Sequence, residues 1–211
     1  AEIADPFARG ELERTGVVHA AGGARLLAPV EPRVVLGVYR NTKSERHGDL
    51  PAVMFMKSPY TVVGPGDPIE IDPSLGAVKG EVELAAVLGA RCRFLASVDE
   101  AAAAVLGWTV ANDVTAVDQL PLDEAKLRAK GGDGFTPLGP WIETDLADPA
   151  DTGLRAAVDG AEVVAASTSN LARGALEMLV WASQFMELRP GDVLLTGSPN
   201  TMFNIAPGQE C

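Results

Sequence analysis

The sequence predicts a mostly β protein of the α+β class. Three observations carry that expectation: many short apolar runs of strand length, Gly- and Pro-rich punctuation between them, and few stretches with helical spacing. The chain has 211 residues, 47% of them hydrophobic, with 22 Gly and 15 Pro. That is enough apolar content to bury a full core. The expected division is a small β-rich N-terminal region with a lid over residues 1–50, followed by a main domain over residues 51–211.

Taken in order, residues 1 to about 32 offer short apolar pieces (Val17-Val18-His19-Ala20, Leu26-Leu27) broken by Gly and Pro. VVLGVY, ending at Tyr39, reads as a buried strand, and RNTKSERHGDL after it as an exposed loop or lid. AVMFMK regains a strand pattern. The GPGDP stretch is a turn by composition, and no helix follows it to cradle a phosphate. Ser97 with Glu100 three residues on forms a capping box ahead of an alanine-rich helix reaching about Leu106. WTVAND is a strand, Leu122 to Ala129 a helical turn or two, and Lys130 opens the loop KGGDG. Asp159-Gly160 between two β-like runs signals a hairpin. Ser167 to Asn170 supply cap candidates for a helix from about Leu171 to Met186, and Val193 to Thr196 is a last strand running into Gly197-Ser198-Pro199. No internal repeat or low-complexity tract interrupts the series.

A net charge of −12 argues against nucleic-acid or anionic-membrane binding, both of which need clustered Lys and Arg. No apolar run approaches 18 residues, and the opening AEIADPFARGELERTG lacks the layout of a signal peptide, so a soluble cytoplasmic protein is expected. Cys92 and Cys211 have neither metal-site spacing nor disulfide density and read as plain thiols. The chain lacks an initial Met and stops at APGQEC where a turn leads toward another strand, the pattern expected of a trimmed chain.

The most informative stretch runs from Lys79 to Asp113, KGEVELAAVLG…GWTVANDVT. In a strand, side chains alternate faces, so Glu81 and Glu83 share one side while Val82 and Leu84 take the other. Two carboxylates roughly 6 Å apart repel by about 3 kcal/mol at an effective dielectric near 20, so a half-buried pair calls for a cation or a proton. With Asp113 the oxygen donors number three, leaving positions of a Mg2+ octahedron for water and substrate. Spacing alone leaves a second reading standing: a solvent-facing strand edge with Glu81 near Lys79 and Asp113 at a turn.

GPGDPI, GEVELAAVLG, GWTVANDVT, LRAKGGDGFTPLGPWI and LRPGDVLLTGSP occur in an order and spacing that resembles the fumarylacetoacetate hydrolase family, over roughly Val34 to the C-terminus. Within it, LRAK followed by GGDGFTPLGPWI is most similar to the decarboxylase/isomerase group acting on 2-hydroxyhepta-2,4-diene-1,7-dioate and 5-oxopent-3-ene-1,2,5-tricarboxylate. The resemblance implies a β-sandwich roll with few helices, a homodimer, and a Mg2+ or Mn2+ site built from an ExE pair and an aspartate. Those positions are Glu81, Glu83 and Asp113 here. It also implies a role for Lys130, whose ammonium would hydrogen-bond a developing enolate or the substrate carboxylate. Thr196 matches a TGTP motif that approaches substrate, although TGSP reads equally as a strand end and tight turn.

Two departures stand out. The family's arginine in NDxxARD, which holds an acidic substrate, is replaced by Val117, so a carboxylate anchor is missing or relocated, with Arg128 as the candidate, while Arg128 and Gln119 are the residues expected to bear on specificity for the substrate's tail. The hydrolases' water-activating His and Glu after a strand ending in NY have no counterpart in RNTKSERHGD. His47 is the nearby histidine, a candidate acid/base from a lid against the plainer reading of a solvent-exposed loop residue. A 2-oxo acid chelated through carboxylate and keto oxygens would be activated by Lewis acidity. Hydrolysis also needs a general base, whereas decarboxylation and keto–enol isomerisation do not need a nucleophile. The expectation is therefore a metal-dependent decarboxylase/isomerase of a 2-oxo dicarboxylate in aromatic-compound catabolism. An acylpyruvate or fumarylpyruvate hydrolase and a non-catalytic metal-binding paralogue are the alternatives.

Overall fold

The computed structural model describes residue 20 and residues 23–43 and 51–211. Its centre is a sheet of strands β1 (Val35–Tyr39), β2 (Val53–Lys57), β3 (Val62–Val63), β4 (Val78–Leu88), β5 (Val105–Asn112), β7 (Thr136–Glu143) and β10 (Val193–Leu195) in the order β2-β1-β10-β4-β5-β7-β3. The short strands β6 (Thr115–Ala116) and β11 (Met202–Ile205) both pair with β4, and β8 (Gly153–Val158) with β9 (Ala161–Ser167) forms a separate hairpin. The sheet curls strongly. Lys57, at the end of edge strand β2, donates to the carbonyl of Phe135, which leads into β7 near the opposite edge. Mostly β with few helices, the fold agrees with the expectation. The main sheet draws strands from both sides of residue 50, since β1 lies between β2 and β10.

β4 is 11 residues long, and its apolar alternation supplies two cores. Leu84, Ala86 and Leu88 face the helices α1 (Val98–Ala104) and α3 (Ala175–Phe185), packing with Leu36, Leu179 and Leu194. Ala85 and Val87 face the concave side with Val35, Val193 and Leu195. Glu81 and Glu83 follow Ala85 and Val87 in phase, so they too belong to the concave face.

Local signals in the sequence account for most boundaries. Ser97 accepts from the Glu100 N–H at 3.2 Å while the Glu100 carboxylate accepts from Ala96 at 2.9 Å, fixing the start of α1. Asp159 and Gly160 take φ of 51° and 78°, the doubly positive turn that joins β8 to β9. Helix α3 starts later than expected, at Ala175. Ser167 instead caps a 3-10 turn over Thr168–Asn170, and the Gly174 N–H is taken by the Glu177 carboxylate at 2.6 Å. The turn or two expected over Leu122 to Ala129 resolves into a 3-10 stretch Val117–Leu122 and one α turn, α2 (Leu127–Lys130). β11 was not anticipated. Among the described residues no helix is long and apolar enough to cross a membrane.

Candidate metal centre

Backbone registration assembles the three carboxylates. β4 pairs with β5 through Val82↔Asn112, and one residue further the Asp113 N–H donates to the Glu81 carbonyl at 2.8 Å. Asn112 closes the same junction, its side-chain oxygen accepting from the Glu81 N–H at 3.0 Å. The result is that one oxygen each from Glu81, Glu83 and Asp113 lies within 4.8 Å of the others. Ligand oxygens around one Mg2+ or Mn2+ are about 3 to 4.4 Å apart, so small rotamer adjustments suffice for a shared ion. The surface-edge reading falls: Glu83 and Asp113 are 1% and 2% exposed.

Two lysines reach the same cluster. Lys130 Nζ donates to Asp113 Oδ2 at 2.5 Å and to Glu81 Oε2 at 3.1 Å. Lys57 Nζ donates to Asp113 Oδ1 at 2.5 Å and to the carbonyl of Phe135 at 2.8 Å. Thr115 donates its hydroxyl to Glu81 Oε2 at 3.4 Å, and the Gly197 N–H donates to Glu83 Oε2 at 2.8 Å. Three carboxylates against two ammoniums leave one negative charge uncompensated in a dry setting. Burial, reinforced by Asp113 and Glu81, accordingly lifts Glu83 well above the ordinary carboxylate value, and burial raises Glu81 as well. Burial also opposes ionised Asp113, but Lys130 and Lys57 outweigh it and hold Asp113 below its ordinary value. For Lys130 the balance is similar, desolvation being overcome by Asp113 and Glu81, so its ammonium is strengthened. Lys57 is pushed down by burial despite Asp113. A hard dication fits this donor set: it would neutralise the excess charge that otherwise protonates Glu83.

The remaining candidates separate. Thr196 is fully buried, its hydroxyl committed to the Leu84 carbonyl at 2.8 Å, and it is the neighbouring Gly197 N–H that meets the cluster. Gly197 has φ +100°, and a Cβ there would lie 3.0 Å from Asn41 Cβ, so glycine is required. Asn41 holds this turn by donating to the Thr196 carbonyl at 2.9 Å. Arg128 is exposed and sits two residues before Lys130 on one helical turn, roughly 200° around the axis, so it faces away from the carboxylates. Gln119 is buried, with Nε2 donating to the Leu75 carbonyl at 3.1 Å and Oε1 lacking a partner among the described residues. None of its hydrogen bonds involves the carboxylates. His47 lies outside the described residues. Lys57 and the Gly197 N–H were missed from sequence. The first had a signal: in the alternation Val53, Phe55, Lys57, a lysine ends an apolar face.

The profile "Fumarylacetoacetate (FAA) hydrolase C-terminal" matches residues 26–211, and the chain belongs to this family of enzymes. It is 40% identical over 206 residues to Protein Rv2993c of Mycobacterium tuberculosis, covering 94% of this chain and 77% of that one. It is 34% identical over 208 residues to the mitochondrial oxaloacetate tautomerase fahd2 of Xenopus laevis, covering 94% of this chain and 65% of the relative. Among solved structures, a 2-hydroxyhepta-2,4-diene-1,7-dioate isomerase from Mycobacterium marinum superposes with a TM-score of 0.88 at 38% identity, covering 97% of this chain and 78% of that one. A maleylpyruvate hydrolase from Sphingobium sp. SYK-6, solved with manganese(II) and pyruvate, gives a TM-score of 0.74 at 29% identity over 87% of this chain and 66% of that one.

Proposed function

We propose that the chain is a Mg2+- or Mn2+-dependent lyase or isomerase acting on a 2-oxo or 2-hydroxydienoic dicarboxylate in aromatic-compound breakdown. The observation that carries this reading is the Lys130 ammonium, hydrogen-bonded at once to Glu81 and Asp113 and therefore aimed at the carboxylate cluster from one side. Glu81, Glu83 and Asp113 would hold the ion, which supplies Lewis acidity toward the carboxylate and keto oxygens of a 2-oxo acid. Lys130 would donate a hydrogen bond to the oxygen that gains charge as a proton leaves C3 or as CO2 departs and leaves its bonding pair behind. Lys57 acts one layer back. Pinned by Asp113 and Phe135, it fixes the orientation of the aspartate and keeps it ionised.

Isomerase and tautomerase relatives support a proton shift, and the segment RNTKSERHGD lacks the family's spacing of a His with a Glu three residues later that activates water. The maleylpyruvate hydrolase neighbour favours the second reading, C–C hydrolysis of an acylpyruvate. One assay separates them. With Mg2+ or Mn2+ present, CO2 release, enol absorbance and carboxylic-acid release are followed in parallel on 2-oxo diacids and acylpyruvates. Decarboxylation or keto–enol interconversion without acid release is the expected outcome. Stoichiometric pyruvate plus a second acid would instead establish a hydrolase, and tight ion binding with no turnover of any substrate would leave a non-catalytic paralogue.

A further inference from the structure

The rim of the concave face carries two cations, Arg40 and Lys126, that enter no ion pair among the described residues. Both flank one aromatic ring: the Arg40 guanidinium carbon is 5.3 Å and Lys126 Nζ 5.8 Å from the Tyr39 centroid. Both also hold left-handed backbone, φ 61° and 65°, which is uncommon outside Gly and Asn. In a chain of net charge −12, two cations without an ion pair among the described residues, brought to one ring from distant segments, form a local positive spot.

That spot faces the carboxylate cluster. β1 runs parallel to β10 with Val35↔Val193 and Leu36↔Leu194, and β10 pairs with β4 through Leu195↔Ala85. Continuing both registers sets Tyr39, Gly197 and Glu83 in one row across the sheet, and the Gly197 N–H to Glu83 bond agrees with it. Two strand spacings separate the Tyr39 and Glu83 backbones by about 10 Å, with Gly197 between them and Asn41 packed against that glycine. A second path leads to the same place. Lys130 Nζ is 5.0 Å from the Phe55 ring, Phe55 lies across Gly37, and Tyr39 is the next residue on that face of β1. Lys126 precedes the turn that ends at Lys130, its carbonyl accepting the Lys130 N–H at 2.9 Å, and its Nζ reaches Tyr39 while Arg128 is exposed.

We propose that Arg40 and Lys126, braced on Tyr39, bind the distal carboxylate of a short dicarboxylate whose 2-oxo acid end reaches Glu81, Glu83 and Asp113. This rests on the reading of those three residues as a metal site and identifies the anchor that Val117 does not supply. A guanidinium offers the planar pair of donors that a carboxylate matches. The span across the row, shortened by side chains from both ends, suits a short dioate.

The test measures dissociation constants of 2-oxoglutarate and 2-oxopentanoate for the Mn2+-loaded protein by water-proton relaxation enhancement. Asparagine tolerates left-handed backbone, so Arg40→Asn with Lys126→Asn preserves local geometry. The unsubstituted protein should prefer the dicarboxylate, and the double variant should lose roughly 10- to 100-fold of that preference. Arg128→Asn should keep it. An unchanged preference in the double variant, equal weakening of both ligands, or the same loss in Arg128→Asn would each overturn the assignment. If the unsubstituted protein binds Mn2+ and 2-oxopentanoate with no advantage for the diacid, this inference alone fails. If it takes up no Mn2+, the metal reading fails and the anchor with it.

Discussion

The two faces of β4 hold opposite environments. On one, Glu81 and Glu83 enter a tight cluster with Asp113, Lys57 and Lys130, each carboxylate held by a named donor. On the other, Val82 lines a cleft of about 770 Å³ whose walls include Pro65, Ile69, Leu138, Phe203 and Pro207. A cleft of that size with apolar walls would by itself suggest a ligand site on the second face. Charge points to the first, where burial and like charges shift several ionisable groups at once. Perturbed ionisation here follows uncompensated charge, and the strand's period of two keeps it one residue away from plain packing.

Substitutions on each face should break this contrast in graded steps. Glu83→Gln removes a ligand and a charge together, so Mn2+ affinity measured by titration calorimetry and turnover on a 2-oxo acid should each fall by about a thousandfold, on the order of 4 kcal/mol. A variant keeping full Mn2+ affinity would move the ion elsewhere. Next, Lys57→Met strands part of the Asp113 charge in a dry site and should destabilise the ion-free protein by about 3 kcal/mol in urea unfolding. A loss under 1 kcal/mol would mean that Lys130 alone compensates Asp113.

The acidity of the cluster gives a third handle. Because burial raises Glu83 above its ordinary 4.5, the folded ion-free protein keeps a proton there that the unfolded chain has lost. Glu83 alone should therefore make stability fall as pH rises above 4.5, by up to about 1.4 kcal/mol per unit until its folded value is passed, and Glu81, raised in the same way, adds to the slope. Asp113, depressed from 3.8, has already given its contribution by then. Saturating Mg2+ should flatten the slope; the same slope with and without Mg2+ would remove Glu83 from the ion site. The smallest effect belongs to the other face. Val82→Ala should cost about 1 kcal/mol through lost burial, with Mn2+ affinity unchanged.

Much of this arrangement was legible in the chain itself because it depends on local rules. The spacing of Glu81 and Glu83 fixed their shared side, Ser97 with Glu100 marked α1, and Asp159-Gly160 marked the hairpin. What stayed hidden depends on long-range closure. Lys57 meets Asp113 because the sheet curls until an edge strand reaches the approach to β7, and nothing near Lys57 encodes that curl. The donor to Glu83 is a main-chain N–H at Gly197, invisible to a reading of side chains, while the Thr196 hydroxyl beside it turns into the ladder. The direction of Arg128 stayed open because two residues along a single turn decide it, and the phase of so short a helix is set by tertiary contacts.

β4 carries Glu81 and Glu83 while sharing hydrogen bonds with β5, β6, β10 and β11. A strand laced to four neighbours opens only when the whole domain does, so its amide protons should be among the slowest to exchange with deuterium. The Glu81 and Glu83 carboxylates would then ride on one of the most persistent parts of the molecule. Ion release and the cooperative melting of the domain should then be tightly linked events rather than a local loosening.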